Sequence, residues 1–291
     1  MKHAYLILAH NNYYCLEKLL RLIDDARNDI YIHVDSKSKD FRAERIKEAV
    51  KKSSLYFTRR ISVGWGEYSM IRAEMILFQE AYEGEYAYYH LISGADLPIK
   101  TQDEIHAFFS KNRGKQFICC AKENIIRQKD IHSRFRYYYL PFDKNSYLLR
   151  IQRKLGCIRP SSQITCGFGS QWVSLTHEAV GYLLSKKKWI KRTFGFSSCG
   201  DEVYKQTLLQ NSQFNDSLYP EPFSTERRTS FNMREILWNE GSHPHVFTVG
   251  DYQHLIESEC LFARKFDDTI DRSIIDMVFE HVYNASVQKR S

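Results

Sequence analysis

Residues 86–101, YAYYHLISGADLPIKT, limit what this chain can fold into more than any other stretch. They open with a short apolar and aromatic run. A run of that length bounded by turn residues is expected to be a central strand covered on both faces. It breaks at Ser93-Gly94-Ala95-Asp96, a small-residue turn that delivers one carboxylate just past the strand's carboxyl end. Pro98 should end ladder pairing, and Thr101 with Glu104 has the spacing of a capping box opening a helix. Ligands of open α/β sheets sit at the carboxyl ends of strands, so chemistry is expected first at this turn.

The residues before it repeat the same grammar. Residues 4–9 read as a buried first strand ending at His10-Asn11-Asn12, followed by a helix whose Leu16, Leu19, Leu20 and Ile23 form one apolar face. Residues 30–35 form a second strand that again ends in a carboxylate, Asp35. Strand, helix and strand make a βαβ unit with a right-handed crossover. Helices are expected over 41–52 and 68–81 (apolar face Met70, Ala73, Ile76, Leu77), with a short strand at 55–57 between them. Such alternation belongs to a mostly parallel sheet flanked by helices.

Beyond the 101–109 helix the pattern predicts a strand at 116–120, then decays. Residues 123–163 are polar, basic and aromatic and read as an irregular lobe. A strand is expected over 167–175, preceded by glycines that permit unusual backbone angles. Thr176 caps a helix to about 187, and Gly200-Asp201-Glu202 opens another with Val203, Thr207 and Leu208 inward. Strands at 231–238 and 245–249 and a closing helix at 268–284 complete the chain. With no repeat, linker or composition shift, residues 1–291 read as one domain: a first half to about 120 and a second from about 121.

Composition removes several function classes. The apolar fraction of 43% and charged fraction of 26% are those of an ordinary globular protein. The net charge of +7 attracts anions, from phosphorylated small molecules to an anionic membrane face. The densest basic runs, Lys186-Lys187-Lys188 and Arg227-Arg228, are short, which argues against nucleic acid as a partner. Seven cysteines without CxxC or Cys/His spacing argue against a disulfide framework or a zinc site. No signal peptide or membrane-length apolar span is found, so the cytoplasm is the expected compartment. There is no G-x-G-x-x-G, P-loop or G-x-S-x-G. What remains is a set of carboxylates (Asp35, Asp96, Asp201, Glu202) and a late basic pair, Arg264-Lys265.

Six segments then occur in a telling order: His33-Val34-Asp35; Val63-Gly64-Trp65-Gly66; the Ile92-Ser93-Gly94-Ala95-Asp96-Leu97-Pro98-Ile99-Lys100-Thr101 turn; Gly169-Ser170-Gln171-Trp172; Asp201-Glu202; and Leu261-Phe262-Ala263-Arg264-Lys265-Phe266-Asp267. Together they resemble the core-2/I-branching β-1,6-N-acetylglucosaminyltransferase family, in a short bacterial-type form, over nearly the whole chain. The resemblance implies a GT-A fold, with a Rossmann-like nucleotide-sugar half continuous with an acceptor half. It implies inverting transfer from a UDP-sugar, GlcNAc first and xylose as the alternative, to a hydroxyl of a glycan or glycolipid acceptor.

The resemblance also implies catalysis without a metal or other cofactor, and the residues agree. Where most GT-A enzymes carry Asp-x-Asp, this chain has Asp96 alone, and one carboxylate cannot anchor a divalent ion on a diphosphate. By resemblance Glu202 is the general base, against the plainer reading that Asp201 and Glu202 favour a helix N-terminus. Lys265 matches the family's diphosphate lysine. The family's second phosphate-binding arginine has no counterpart near Ser242-His243-Pro244, leaving His243 or Arg264 to compensate. Asp35, His10 and Trp65 would line the nucleotide pocket, with Asp96 beside them. For His10 and His33, a buried structural histidine is the competing account. Gln171, Trp172 and Trp238 are candidates for the substrate side, Trp238 by stacking or else by core packing. Glu123, Arg134 and Arg136 fall where the family places acceptor contacts, or on a solvated face. A binding module that lost catalysis and a nucleic-acid-binding protein are the rivals from other classes.

Overall fold

In the computed structural model, residues 1–121, 123–140, 147–159, 165–220, 232–238 and 243–288 are described. The first half runs β1 (His3–Ala9), α1 (Tyr13–Ile23), β2 (Asn28–Val34), α2 (Ala43–Glu48), β3 (Ser54–Phe57), α3 (Tyr68–Tyr82), β4 (Tyr88–Ser93), β5 (Leu97–Pro98) and α4 (Gln102–Lys111). The second half adds α5 (Glu123–Gln128), α6 (Ser133–Arg136), α7 (Tyr147–Leu155), β6 (Val173–Leu175), α8 (His177–Ser185), α9 (Lys187–Phe194), α10 (Tyr204–Gln210), β7 (Arg234–Ile236), α11 (Tyr252–Glu257), β8 (Phe262–Arg264) and α12 (Arg272–Gln288).

The main sheet has the order β3-β2-β1-β4-β6, parallel throughout except for β6, which pairs antiparallel to β4. This is a mostly parallel, helix-flanked α/β architecture. The two-residue period of a strand explains why β1 and β4 contain so little polar alternation. Tyr5, Ile7 and Ala9 face one core, with α1, α4 and α12. Ala4, Leu6 and Leu8 face the other, with α3, α8, α9 and α10. Residues Tyr88 and Ile92 of β4 join the first core, and Tyr89 and Leu91 the second. Each aliphatic side chain so buried contributes roughly 1.5–3 kcal/mol. The capping box forms: the Glu104 amide donates to Thr101 Oγ1 at 3.3 Å, and the Thr101 amide donates back to Glu104 Oε2 at 2.9 Å.

Several elements depart from expectation. Pro98 does not end pairing, because Leu97 and Pro98 pair antiparallel with Ala263 and Phe262 in a second sheet of order β5-β8-β7. Proline is tolerated there because β5 is an edge strand. The strand expected at 116–120 reduces to the bridges Gln116 to Leu218 and Phe117 to Ser174, and residues 245–249 form no strand, the bridge of Trp238 to Pro244 lying just before them. The 167–175 strand shortens to β6. Its preceding glycines do not adopt left-handed angles; a Cβ at Gly169 would collide with the Cys119 carbonyl, so that residue is small to allow close approach. The closing helix starts four residues later than expected, at Arg272. The lobe read as irregular contains the short helices α5, α6 and α7. Phe231, Arg227, Arg228 and Ser242 lie outside the described residues.

Candidate active site

One cleft of about 520 Å³ opens at the carboxyl ends of β1 and β4, where the sheet leaves backbone groups and turn side chains facing outward. The β1 end supplies His10, Asn11 and Asn12, and the β4 end supplies Ser93, Gly94 and Ala95. The second sheet closes the cleft from the side. Because β8 pairs with β5, it carries Arg264 and Lys265 directly to the Asp96 turn. Three backbone-directed anchors hold that segment. The Phe266 amide donates to Ala95 O at 2.9 Å, Asn12 Nδ2 donates to Phe266 O at 2.8 Å, and the Phe247 amide donates to Lys265 O at 2.9 Å. Asn12 also accepts from the Asp268 amide at 3.0 Å, and its left-handed backbone (φ 60°) turns the side chain into this role. In the sequence the signal for it is an asparagine just past a strand end, a residue type that tolerates left-handed angles.

Asp96 is buried and fully engaged. It takes hydrogen bonds from Ser93 Oγ (2.6 Å) and the Ser93 amide (3.1 Å) and an ion pair from Arg264 Nη1 at 2.9 Å. Arg264 also lies 4.3 Å over the Trp172 ring. The guanidinium therefore occupies the charge that an Asp-x-Asp motif would offer a cation. Among the described residues no group of three His, Cys, Asp or Glu side chains is placed to hold a metal. The residues at this turn do not fit a divalent ion.

Lys265 lines the cleft and forms no ion pair among the described residues. Its charge is felt at two neighbours. The surrounding protein and then the Lys265 ammonium push His10 below the usual histidine pKa, and Asp267 is held down first by Thr269 and also by Lys265. His243 lines the same cleft at its exposed edge. Arg234, the fully buried arginine on β7, is spent on the carbonyls of Asn232 and Val173 and lines no part of it.

Opposite stands the Asp201-Glu202 turn. It is a 3-10 turn, Gly200–Glu202, preceding α10. Glu202 lines the cleft, one oxygen held by Arg134 Nη1 at 2.6 Å and the other without a partner among the described residues. Its main chain is fixed by the Gly169 amide, which donates to Glu202 O at 2.9 Å. Asp201, expected as a helix cap, makes no cap bond. It is buried, its Oδ1 has no partner among the described residues, and burial together with the Glu74 and Glu202 charges raises its pKa to about 7. Beneath it Glu74 is fully buried, receiving Gln171 Nε2 at 2.8 Å, Tyr204 Oη at 2.6 Å and Lys205 Nζ at 2.6 Å. Gln171 thereby connects this buried cluster to the cleft wall.

Trp65 and Trp238 line the mouth with 78% and 54% of their surface exposed, so neither is a core residue. Trp65 sits on a loop tied to the Asp201-Glu202 turn through the Cys199 amide, which donates to Gly66 O at 2.7 Å. Gly66 is left-handed at φ 70°, which favours glycine there.

Some candidates lie elsewhere. Asp35 accepts from the Lys37 amide at 2.9 Å and lies 3.6 Å from Lys37 Nζ, off the cleft wall. The strand ends one residue before it, and the turn folds its carboxylate back on itself. His33 is buried, accepts from the Ile61 amide at 3.2 Å, and burial lowers its pKa to about 4, so it is a structural histidine. Glu123 pairs with Arg127 along exposed α5, and Arg136 is exposed at the end of α6; neither lines the cleft.

Xylosyltransferase 2 of Canis lupus familiaris is 24% identical over 97% of this chain and 34% of its own length. The N-acetyllactosaminide beta-1,6-N-acetylglucosaminyl-transferase of Mus musculus is 25% identical over 91% of this chain and 68% of its own length. The chain thus spans about a third of the length of the xylosyltransferases it matches. The model of the Core-2/I-Branching enzyme matches residues 3–257, and the chain belongs to the Core-2/I-Branching enzyme family.

Proposed function

We propose that this cleft transfers a sugar from a UDP-sugar to a hydroxyl of a glycan acceptor, with inversion and without a metal. The observation that carries the reading is the placement of one half-anchored carboxylate, Glu202, across a cleft from Arg264 and Lys265, with two exposed tryptophans at its mouth. Glu202 takes the proton of the acceptor hydroxyl as that oxygen attacks the anomeric carbon. The bond from that carbon to the diphosphate breaks, and its electron pair leaves with UDP. Lys265 stabilises the charge that grows on the departing phosphate, the work a metal does in other enzymes. Arg134 holds one Glu202 oxygen, so the other faces substrate in one orientation. The flat faces of Trp65 and Trp238 suit a pyranose ring. Asp96, neutralised by Arg264, shapes the turn rather than binding a cation.

The donor is proposed as UDP-GlcNAc, by likeness to the mouse N-acetylglucosaminyl-transferase. UDP-xylose is the second reading, favoured by the xylosyltransferases. A screen of UDP-sugars reading released UDP, run beside calorimetric UDP binding, tests both. Glu202→Gln should keep UDP affinity and lose about 100-fold or more in transfer. Normal transfer by that variant would place the base elsewhere.

A further inference from the structure

Helix α7 buries none of its residues, yet it is amphipathic. Tyr147, Ile151 and Leu155 recur at every fourth position and form one stripe, exposed by 67%, 37% and 69%. Arg150, Arg153 and Lys154 lie beside the stripe, all exposed, and the helix contains no acidic residue. The face turned to the protein carries the half-buried Leu148, Leu149 and Gln152. Gln152 both accepts from the Tyr138 amide at 2.8 Å and donates to the Tyr138 carbonyl at 2.9 Å. The segment is fastened again beyond the helix by buried Arg159, whose Nη2 donates to Arg192 O at 3.0 Å and whose amide donates to Arg136 O at 2.9 Å. Tyr138 and Phe196, packed on each other at 5.7 Å and exposed, continue the apolar patch. Exposed Lys191 and Arg192 of α9 extend the basic rim. An ordinary surface helix does not leave a further apolar stripe such as Tyr147, Ile151 and Leu155 facing water.

We propose that this face of α7, with Tyr138 and Phe196, docks on an anionic membrane surface, the helix lying in the plane of the headgroups. Charge decides among occupants. A second copy meeting the same face would set Arg150, Arg153 and Lys154 against themselves. Nucleic acid would satisfy the cations and leave the apolar stripe in water. An anionic bilayer takes both, the stripe among acyl chains and the cations at the lipid phosphates. The proposal is independent of the sugar-transfer reading, because no α7 residue lines the cleft.

The test is flotation of the full chain with vesicles of phosphatidylcholine alone, or of phosphatidylcholine and phosphatidylglycerol in equal parts, at low and physiological salt. Binding is expected to the mixed vesicles only and to weaken with salt. Replacing Arg150, Arg153 and Lys154 together by Gln should lower affinity on the order of 100-fold, at about fivefold per cation. Ile151→Ser with Leu155→Ser should lower it about tenfold or more while the melting temperature stays near wild type. The Leu155→Trp variant should show a blue shift in tryptophan emission on the mixed vesicles that wild type does not. No flotation, undiminished flotation of both multiple variants, or an unshifted emission from Leu155→Trp would overturn the proposal. So would a concentration-dependent dimer lost in the Ile151/Leu155 variant, or binding to a random oligonucleotide as tight as to the vesicles.

Discussion

At the scale of single residues, the adjacent pair Asp201 and Glu202 occupies two opposed environments. Both line the cleft, but Glu202 is half-buried and held by Arg134, whereas Asp201 is buried near Glu74, its Oδ1 without a partner among the described residues. A buried acid near another carboxylate holds its proton, which raises its pKa to about 7 from the 3.8 of the unfolded chain. The folded state therefore binds the extra proton. The stability associated with it is complete below about pH 4 and is lost as pH rises through about 7. Asp201→Asn, a neutral isostere of the protonated acid, should remove that pH dependence. In urea denaturation at acid, intermediate and slightly alkaline pH, the stability of wild type relative to the variant should fall across the window by roughly a few kcal/mol, the buried histidines contributing equally to both. Parallel curves would mean that Asp201 is ionised in the fold. The Asp-Glu dipeptide was visible in the sequence. Which of the two sits in the dry environment was not, because the decisive neighbour, Glu74, arrives on a distant helix.

At the scale of elements, α3 and α10 are joined by the ion pair of Glu74 and Lys205, both wholly buried, with Tyr204 on the same oxygen. Neither helix reads as polar on its inner face from periodicity alone. Removing one partner leaves a bare charge in the core, so Glu74→Ala should destabilise the protein by about 3–5 kcal/mol. Glu74→Leu combined with Lys205→Met should recover most of that loss in the same denaturation assay. A single variant as stable as wild type would show that the pair is open to water. The same two helices hold the Asp201-Glu202 turn, since Lys205 Nζ also donates to Asp201 O at 3.0 Å. The double variant is therefore expected to fold well and still transfer poorly.

At the scale of the whole molecule, two sheets meet at the Asp96 turn. The main sheet brings the strand ends, and the small sheet brings Arg264 and Lys265 from late in the chain. Because a fixed guanidinium neutralises Asp96, transfer should persist in EDTA. Loss on chelation, restored by manganese, would show that a metal works at this turn after all. Among the described residues no helix is long and apolar enough to cross a membrane.

The sequence by itself determined the alternation of strand and helix and the two-faced burial of β1 and β4, since both rest on local periodicity and on residue types that tolerate no water. It also marked the turn at Asp96, the capping box at Thr101 and the catalytic candidates Glu202 and Lys265, because their neighbours in sequence are also their context. Tertiary structure alone decided the rest. Pairing of β5 with β8 placed Arg264 on Asp96, and Asn12 reached Phe266 across almost the entire chain. Burial separated Asp201 from Glu202 and withdrew Asp35 and His33 from the cleft. These are contacts between residues far apart in sequence, and no local pattern encodes the distance or the desolvation that gives them their chemistry.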